Sequence, residues 1–137
     1  MPKSRWVDFG NDTFAWTGGS NIGFIVRGNR ALMVDAGLDA AGARRAVRQF
    51  AALGAELSGV VLTHGHADHF GGAPWIARRD SIPVFAPPLE GAFAAHPLLE
   101  PLYLHGGAVP FAELRSRFTL AKEAVNAPQP LQPGPLT

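Results

Sequence analysis

Three of the five histidines of this 137-residue chain lie within six consecutive positions. They are His64, His66 and His69, and the carboxylate of Asp68 stands between the last two. Imidazole nitrogen and carboxylate oxygen are the ligands that Zn²⁺ and related first-row metals take in sites that activate water. We therefore predict that these four residues hold one metal ion or an adjacent pair. Zinc is the expected metal, and iron or manganese would accept the same ligands.

The sequence around the four residues favours a built site over a histidine-rich surface turn. The apolar, β-branched run at residues 60–62 predicts a strand directly before them, and a helix is predicted to follow. The ligands would then lie at the carboxyl end of a strand, where open α/β folds place their sites. Gly65 has no Cβ and permits a tight backbone path between the first two histidines.

The string His-x-His-x-Asp-His, with Gly71 and Gly72 directly after it, resembles the signature of the metallo-β-lactamase fold hydrolases. Residues 21–37 resemble the paired strands of that superfamily, which end in an Asp-x-Gly turn, and the similarity covers residues 13–86. The resemblance implies an α/β protein with the αββα sandwich of this family. It implies that the chain carries only the first half, a mixed β-sheet with helices on one face.

The resemblance also implies roles for the predicted site residues. In the family, the residues that match His64 and His66 bind a first metal, and those that match Asp68 and His69 bind a second. Asp68 would also be catalytic, because its counterpart orients or deprotonates the bridging water. The residues alone leave Asp35 open: it is a turn carboxylate that leads into the next helix, or an acceptor that orients a ligand histidine. The resemblance favours the second interpretation.

The family takes its remaining ligands from the second half of its fold: a further histidine, a bridging carboxylate and a last histidine. In this chain no aspartate follows Asp80. His96 and His105 lack the sequence context of those ligands, and we interpret them as surface or turn histidines. The glutamates that could chemically replace the bridging carboxylate, none of them singled out by the sequence, are Glu90, Glu100, Glu113 and Glu123.

Hydrophobic periodicity predicts the elements that position the motif. In chain order they are a hairpin of residues 6–9 and 13–16, a hairpin of 21–27 and 31–35, a helix at 39–53, a strand at 59–62, a helix at 68–79 and a strand at 82–86. Asp39 is predicted to cap the first helix and Gly54 to end it. The aromatic residues predicted to form sheet core are Trp6, Phe9, Phe14 and Trp16. The arginines predicted to form a solvated helix face rather than a phosphate patch are Arg44, Arg45 and Arg48.

The remainder of the chain is predicted to be less regular. Residues 1–126 are interpreted as the amino-terminal part of one domain, with residues 87–126 as a lid or insertion. That segment is predicted to contain helices at 89–95 and 111–124. Its apolar surface would be formed by Tyr103, Leu104, Phe111 and Phe118. Residues 127–137 are rich in proline and are interpreted as a tail or linker.

The composition limits the classes of partner. With 47% hydrophobic and 17% charged residues, the chain is globular rather than disordered. The formal net charge of +1 disfavours nucleic acid as a partner. The chain contains no cysteine, which excludes disulfides and thiolate metal ligands. No stretch is predicted to cross a membrane, and the absence of a signal-like apolar segment makes the cytoplasm the expected location.

Three functions are compatible with these observations. The first is a metal-dependent hydrolase, in which activated water attacks a small ester or thioester. The second is an incomplete or non-catalytic metal-binding half-domain that needs a second half or a partner chain. The third is an interaction protein in which the motif is a relic. Because a half-domain would leave an apolar sheet face uncovered, we expect self-association or pairing with a second half.

Overall fold

The computed structural model describes residues 3–135, and its centre is one mixed sheet of seven strands in the order β1 to β7. The strands are β1 (Arg5–Gly10), β2 (Thr13–Thr17), β3 (Ile22–Arg27), β4 (Arg30–Val34), β5 (Glu56–Val61), β6 (Val84–Ala86) and β7 (Gln129–Pro130). Strands β1 to β4 pair antiparallel, and β4 to β7 pair parallel. The α/β class and the mixed sheet predicted from the sequence are confirmed.

Helix α1 (Ala40–Phe50) connects β4 to β5 and ends in a 3-10 turn at Ala51–Leu53. The side chain of Asp39 accepts a hydrogen bond from the backbone N–H of Gly42 at 2.8 Å, and Gly54 follows in the left-handed conformation. Both predicted caps are therefore present. The helix buries its apolar stripe on the sheet, where the ring of Phe50 stacks on that of Phe24 at 4.8 Å.

The single helix predicted at 68–79 is two helices, α2 (Ala67–Phe70) and α3 (Ala73–Asp80). Gly71 and Gly72 separate them, and their backbone lies directly on the carbonyl oxygens of Leu38 and Ala36, so that a Cβ at either position would clash. Pro74 lies in the first turn of α3, where its missing N–H has no intrahelical partner to lose. The interruption thus lets the chain pack against the start of α1.

The carboxyl-terminal part differs most from the prediction. Helix α4 (Pro88–Ala95) is present, and α5 (Leu99–Leu104) follows it without having been predicted. The helix predicted at 111–124 is wrong, because this segment contains only a 3-10 turn at Ala112–Leu114. Its large apolar side chains remain on the surface, since Phe111 is 77% and Leu114 57% exposed, whereas the small Ala121 is buried in the core. The hydroxyl of Ser116 also accepts the N–H of Phe118, which competes with a helical hydrogen bond.

Part of the proline-rich segment predicted as a tail or linker belongs to the sheet. Gln129 and Pro130 form β7, which pairs with β6, and the N–H of Leu131 donates to the carbonyl of Ala86 at 2.7 Å. Gly91 of α4 lies against Pro128 and Ala86. Residues 128–131 therefore pack on the rest of the domain.

The helices cover one face of the sheet, as predicted. Helix α1 contacts β3 and α3, α3 contacts β5, and α4 contacts β6 and β7. The strand residues on this face alternate with those on the other, and the fully buried ones include Phe24, Met33 and Val60. Trp6 and Phe14 stack beside Phe24 and belong to this core. The prediction for Phe9 is wrong, because its side chain is 65% exposed on β1.

The opposite face of the sheet carries apolar side chains that are only partly buried. The strand register places Ile25 beside Leu32, Val34 beside Val61, and Val61 beside Phe85. Directly opposed residues project to the same face, so these five side chains form one continuous apolar surface. None of the helices in the described part of the chain is both long and apolar enough to span a membrane.

This face generates a prediction about assembly. We expect the purified chain to self-associate through it, because a continuous apolar surface of this kind is stabilised by removal from water. The pair Ile25→Lys and Leu32→Glu places opposite charges across two strands and should shift the chain toward monomer in light scattering. Leu89→Ser removes an exposed apolar side chain from α4 instead and should leave the assembly unchanged. A wild-type chain that is monodisperse and monomeric would contradict the prediction.

Candidate metal centre

The histidine motif lies in the loop between β5 and α2, at the carboxyl end of a central strand. Strand β5 ends at Val61, the side chain of Leu62 is fully buried, and α2 begins at Ala67. The neighbouring strands β4 and β6 both run parallel to β5, so their carboxyl ends meet at the same edge of the sheet. The sheet therefore carries the motif at the edge where α/β folds place their sites.

The loop brings the imidazoles of His64 and His69 together, with His66 and Asp68 next to them. The ring of His64 lies 4.0 Å from that of His69 and 4.7 Å from that of His66, measured between ring centroids. The Nε2 atom of His69 is 3.4 Å from a carboxylate oxygen of Asp68. The ligand atoms of Asp35, His64 and His69 lie within 4.8 Å of one another, and in residues 3–135 no other such group of three was found. Of the four predicted ligands, His64 and His69 belong to this compact group, whereas His66 and Asp68 lie beside it.

Asp35 lies at the base of this cluster and is 6% exposed. One carboxylate oxygen accepts the backbone N–H of Thr63 at 2.8 Å. The other accepts the hydroxyl of Thr63 at 2.7 Å and is 2.9 Å from Nδ1 of His69. These bonds satisfy a carboxylate whose burial would otherwise be costly. Asp35 does not cap the next helix, because Asp39 does.

The hydrogen bonds around Asp35 determine which nitrogen each imidazole presents. His69 donates from Nδ1 to the carboxylate, which leaves the lone pair of its Nε2 available. The single hydroxyl proton of Thr63 goes to Asp35, so the Nδ1 of His64, 2.8 Å from that hydroxyl, must be the donor to it. His64 therefore also presents Nε2. One carboxylate orients two imidazoles, the second through Thr63.

The surroundings of His64 favour its neutral form. Burial lowers the pKa of His64, the neighbouring His69 and His66 lower it further, and the carboxylates of Asp35 and Asp68 act in the opposite direction. Only the neutral imidazole can donate its lone pair to a metal. The position of His64 thus favours the protonation state that a metal ligand requires.

Two glutamates from outside the motif hold its backbone. A carboxylate oxygen of Glu90 in α4 accepts the N–H of Gly65, and one of Glu100 in α5 accepts the N–H of Ala67 at 2.7 Å. Glu100 is 6% exposed, and burial raises its pKa while the hydrogen bond from Ala67 lowers it. The sequence showed these residues only as chemical substitutes for a bridging aspartate. Their contacts span 25 and 33 residues, and no local pattern signals them.

The close packing around Gly65 leaves no room for a Cβ at this position of the motif. A Cβ at Gly65 would lie 2.5 Å from the Cβ of Phe93 and 2.7 Å from the carbonyl oxygen of Glu90. The motif loop and α4 are therefore in direct backbone contact. His96 and His105 lie outside the cluster and are exposed, as interpreted from the sequence.

Comparison with known proteins identifies relatives of this arrangement. The family model described as "Metallo-beta-lactamase superfamily" matches residues 15–135. The fold is similar to BJP-1, a subclass B3 metallo-beta-lactamase of Bradyrhizobium japonicum, with a TM-score of 0.71 and 17% identity over 93% of this chain and 45% of that one. It is also similar to a metallo-beta-lactamase of Cronobacter sakazakii, with a TM-score of 0.69 and 18% identity over 96% of this chain and 44% of that one.

A curated relative shares a shorter stretch. Ribonuclease J 1 of Streptococcus pyogenes serotype M3 is 50% identical over 30 residues, which are 22% of this chain and 5% of that protein. The chain thus spans less than half the length of the two solved structures named above and a small part of this relative.

The role of Asp35 gives the first prediction for this site. In Asp35→Asn the amide N–H₂ faces Nδ1 of His69, which reverses the tautomer of that imidazole and places a proton on Nε2. We expect zinc affinity to fall roughly 10- to 100-fold, the range observed when such orienting groups are removed. Competition with a chromophoric chelator measures it. Asp39→Asn is the matched control, since asparagine caps a helix as well as aspartate does. Equal zinc affinities in the two variants would contradict the proposed orientation.

The contact at Gly65 gives the second prediction. Gly65→Ala forces the motif loop away from α4, and we expect the free energy of unfolding to fall by about 1–3 kcal/mol. Gly42→Ala in α1 meets only ordinary contacts and should leave stability unchanged or raise it by up to about 1 kcal/mol. Urea denaturation of both variants makes the comparison. A Gly65→Ala chain as stable as the Gly42→Ala chain would show that the loop does not rest on α4.

Proposed function

We propose that this chain, which belongs to the metallo-beta-lactamase superfamily, is the metal-binding portion of a hydrolase that acts on small esters or thioesters. The observation that carries the proposal is the cluster itself. Three imidazoles and a carboxylate converge at the carboxyl edge of the sheet, and a buried carboxylate orients two of the imidazoles. Orientation of two imidazoles by a buried carboxylate is typical of a metal site and not of a surface turn.

The residues present fit a divalent metal. The hydrogen bonds at Nδ1 leave Nε2 of both His64 and His69 for a metal, and the two rings lie 4.0 Å apart. The donor set of nitrogen and carboxylate oxygen suits zinc, iron or manganese. We propose His64, His66, Asp68 and His69 as the ligands. Asp35 shares its oxygens among hydrogen bonds to Thr63 and His69, and we assign it the orienting role rather than a place among the ligands.

The bound metal would supply Lewis acidity and a water of lowered pKa. The protein contributes the rest. Asp68 is the proposed catalytic residue, and its carboxylate would orient the attacking water and accept its proton. Nε2 of His69, whose imidazole is oriented by Asp35, lies 3.4 Å from a carboxylate oxygen of Asp68, so these two proposed ligands face each other. Glu90 and Glu100 hold the loop backbone that joins these ligands.

Small esters and thioesters are proposed over RNA because of the charge of the chain. A net charge of +1 provides little electrostatic attraction for a polyanion. The 30-residue similarity to Ribonuclease J 1 makes RNA the competing substrate class. The two classes differ in their salt dependence: hydrolysis of a small thioester should be insensitive to salt, whereas binding of an oligoribonucleotide would weaken steeply between 50 and 200 mM salt.

A non-catalytic half-domain is the second candidate. The observation that favours it is that the described chain provides no further histidine or aspartate to the cluster beyond His69. The matched metallo-beta-lactamase structures are more than twice as long as the part that this chain covers. On this proposal the chain binds metal, and hydrolysis requires groups from elsewhere.

Metal content tests these proposals. We expect mass spectrometry of the purified chain to find one or two equivalents of metal, and His66→Ala to lose at least one of them. His105→Ala removes an exposed histidine outside the cluster and should retain the full content. Hydrolysis of a thioester by the loaded chain, abolished by a chelator, would establish the enzyme. Bound metal without hydrolysis would favour the half-domain, and metal content unchanged by His66→Ala would refute both.

A further inference from the structure

A cleft of about 450 Å³ lies beside the histidine motif. Asp68 forms part of its wall, together with apolar side chains from three separate segments: Trp16 of β2, Leu38 before α1, and Phe118 of the irregular segment after α5. The volume is in the range of small-molecule sites. A compound in this cleft would therefore contact both the apolar wall and the proposed catalytic residue.

Two arginines line the same cleft. Arg45 projects from α1, and Arg117 lies next to Phe118, with its guanidinium carbon 5.0 Å from the centre of that ring. Neither guanidinium has a carboxylate partner among residues 3–135, whereas Arg78 and Arg79 are paired with Glu123 and Asp80. The cleft thus holds two cations whose hydrogen-bonding capacity remains available.

The three arginines of α1 that were predicted to share one solvated helix face have different neighbours in the structure. Arg44 lies over the ring of Trp75 at 5.2 Å, and Arg48 is exposed and lies outside the cleft. Of the three, only Arg45 lines the cleft. Its Nη2 atom lies 3.9 Å from the position that a Cβ on Gly42 would take. All three arginines are exposed, as predicted, and Arg45 differs in facing the cleft.

The cleft extends along α1 away from the motif. The motif rests on the amino-terminal end of this helix, through Gly71 and Gly72. Asp39, Gly42 and Arg45 line the cleft at intervals of three residues, which places them on one face of the helix. Because the rise is 1.5 Å per residue, the Cα of Arg45 lies about 9 Å along the axis from that of Asp39.

The two carboxylates of the cleft do not neutralise its arginines. Asp39 accepts the N–H of Gly42 at the first turn of the helix, where the helix dipole favours a negative charge. The carboxylate of Asp68 lies 3.4 Å from Nε2 of His69, and among residues 3–135 it forms no ion pair with either arginine. The guanidinium groups of Arg45 and Arg117 are therefore available to an anion in the cleft.

We infer that the cleft binds an organic anion: a substrate with an apolar body, a carboxylate or phosphate held by Arg45 and Arg117, and its scissile bond toward Asp68. Guanidinium groups recognise both anions through paired hydrogen bonds, and Trp16, Leu38 and Phe118 provide apolar contact for the body. The orientation of the scissile bond rests on the proposed hydrolase. The anion site itself depends only on the cleft.

Binding in the presence of a chelator tests the anion site without the metal. The probes are phenyl phosphate, phenylacetate and the neutral isostere phenylacetamide. Binding of each is measured by the change in NMR chemical shift of the Trp16 indole N–H. The Trp16→Phe variant assigns that signal, because the signal is missing from its spectrum. We expect at least one of the two anions to bind and the amide to bind at least tenfold more weakly. Arg45→Gln and Arg117→Gln should each weaken the anion about tenfold, the effect of one charge-assisted hydrogen bond. Arg48→Gln is the matched control on the same helix and should bind as the unchanged chain does.

The outcomes separate the two proposals. Equal binding of phenylacetamide and both anions, or anion affinity unaffected by both arginine variants, would overturn the anion site even if the chain binds metal. Inorganic phosphate binding as tightly as phenyl phosphate would overturn the requirement for an apolar body. If the chain binds no metal but its anion affinity falls in the Arg45→Gln and Arg117→Gln variants, the anion site is supported and the hydrolase proposal is refuted.

Discussion

The buried carboxylate of Asp35 is the interaction on which the candidate site depends. Asp35 directly follows β4. Its carboxylate bonds to Thr63 in the loop after β5 and to His69 in α2. The backbone contributes as well: the N–H of Asp35 donates to Val61, and that of Ala36 donates to the carbonyl of His69. A buried charge without these partners would destabilise the protein, so the fold and the orientation of the imidazoles depend on the same bonds.

The remaining support of the site comes from the opposite side. Asp35 holds the motif from β4, whereas Glu90 and Glu100 hold it from α4 and α5. The loop is therefore fixed between two parts of the domain by acceptors that satisfy its backbone N–H groups. This arrangement allows an irregular segment to present side chains at defined distances, because its polar backbone is not left without partners.

Sequence reasoning was most successful where the information is local. The caps of α1 at Asp39 and Gly54 and the two hairpins each depend on residues close together in the chain. It failed where the outcome depends on distant packing. The large apolar residues around Phe111 stay exposed instead of forming the predicted helix. The sequence does not distinguish Glu100 from a surface glutamate, because its role depends on the contact of α5 with Ala67.

The change from antiparallel to parallel pairing at β4 has a consequence for the order of folding. Strands β1 to β4 are joined by short turns, so their pairing closes only small loops. Pairing of β4 with β5 requires residues 35–55 to close first, and pairing of β6 with β7 requires residues 87–128 to do so. Because longer closures are slower, the hairpins should form before the parallel strands. The imidazole cluster would then be assembled late, on a sheet that is already in place.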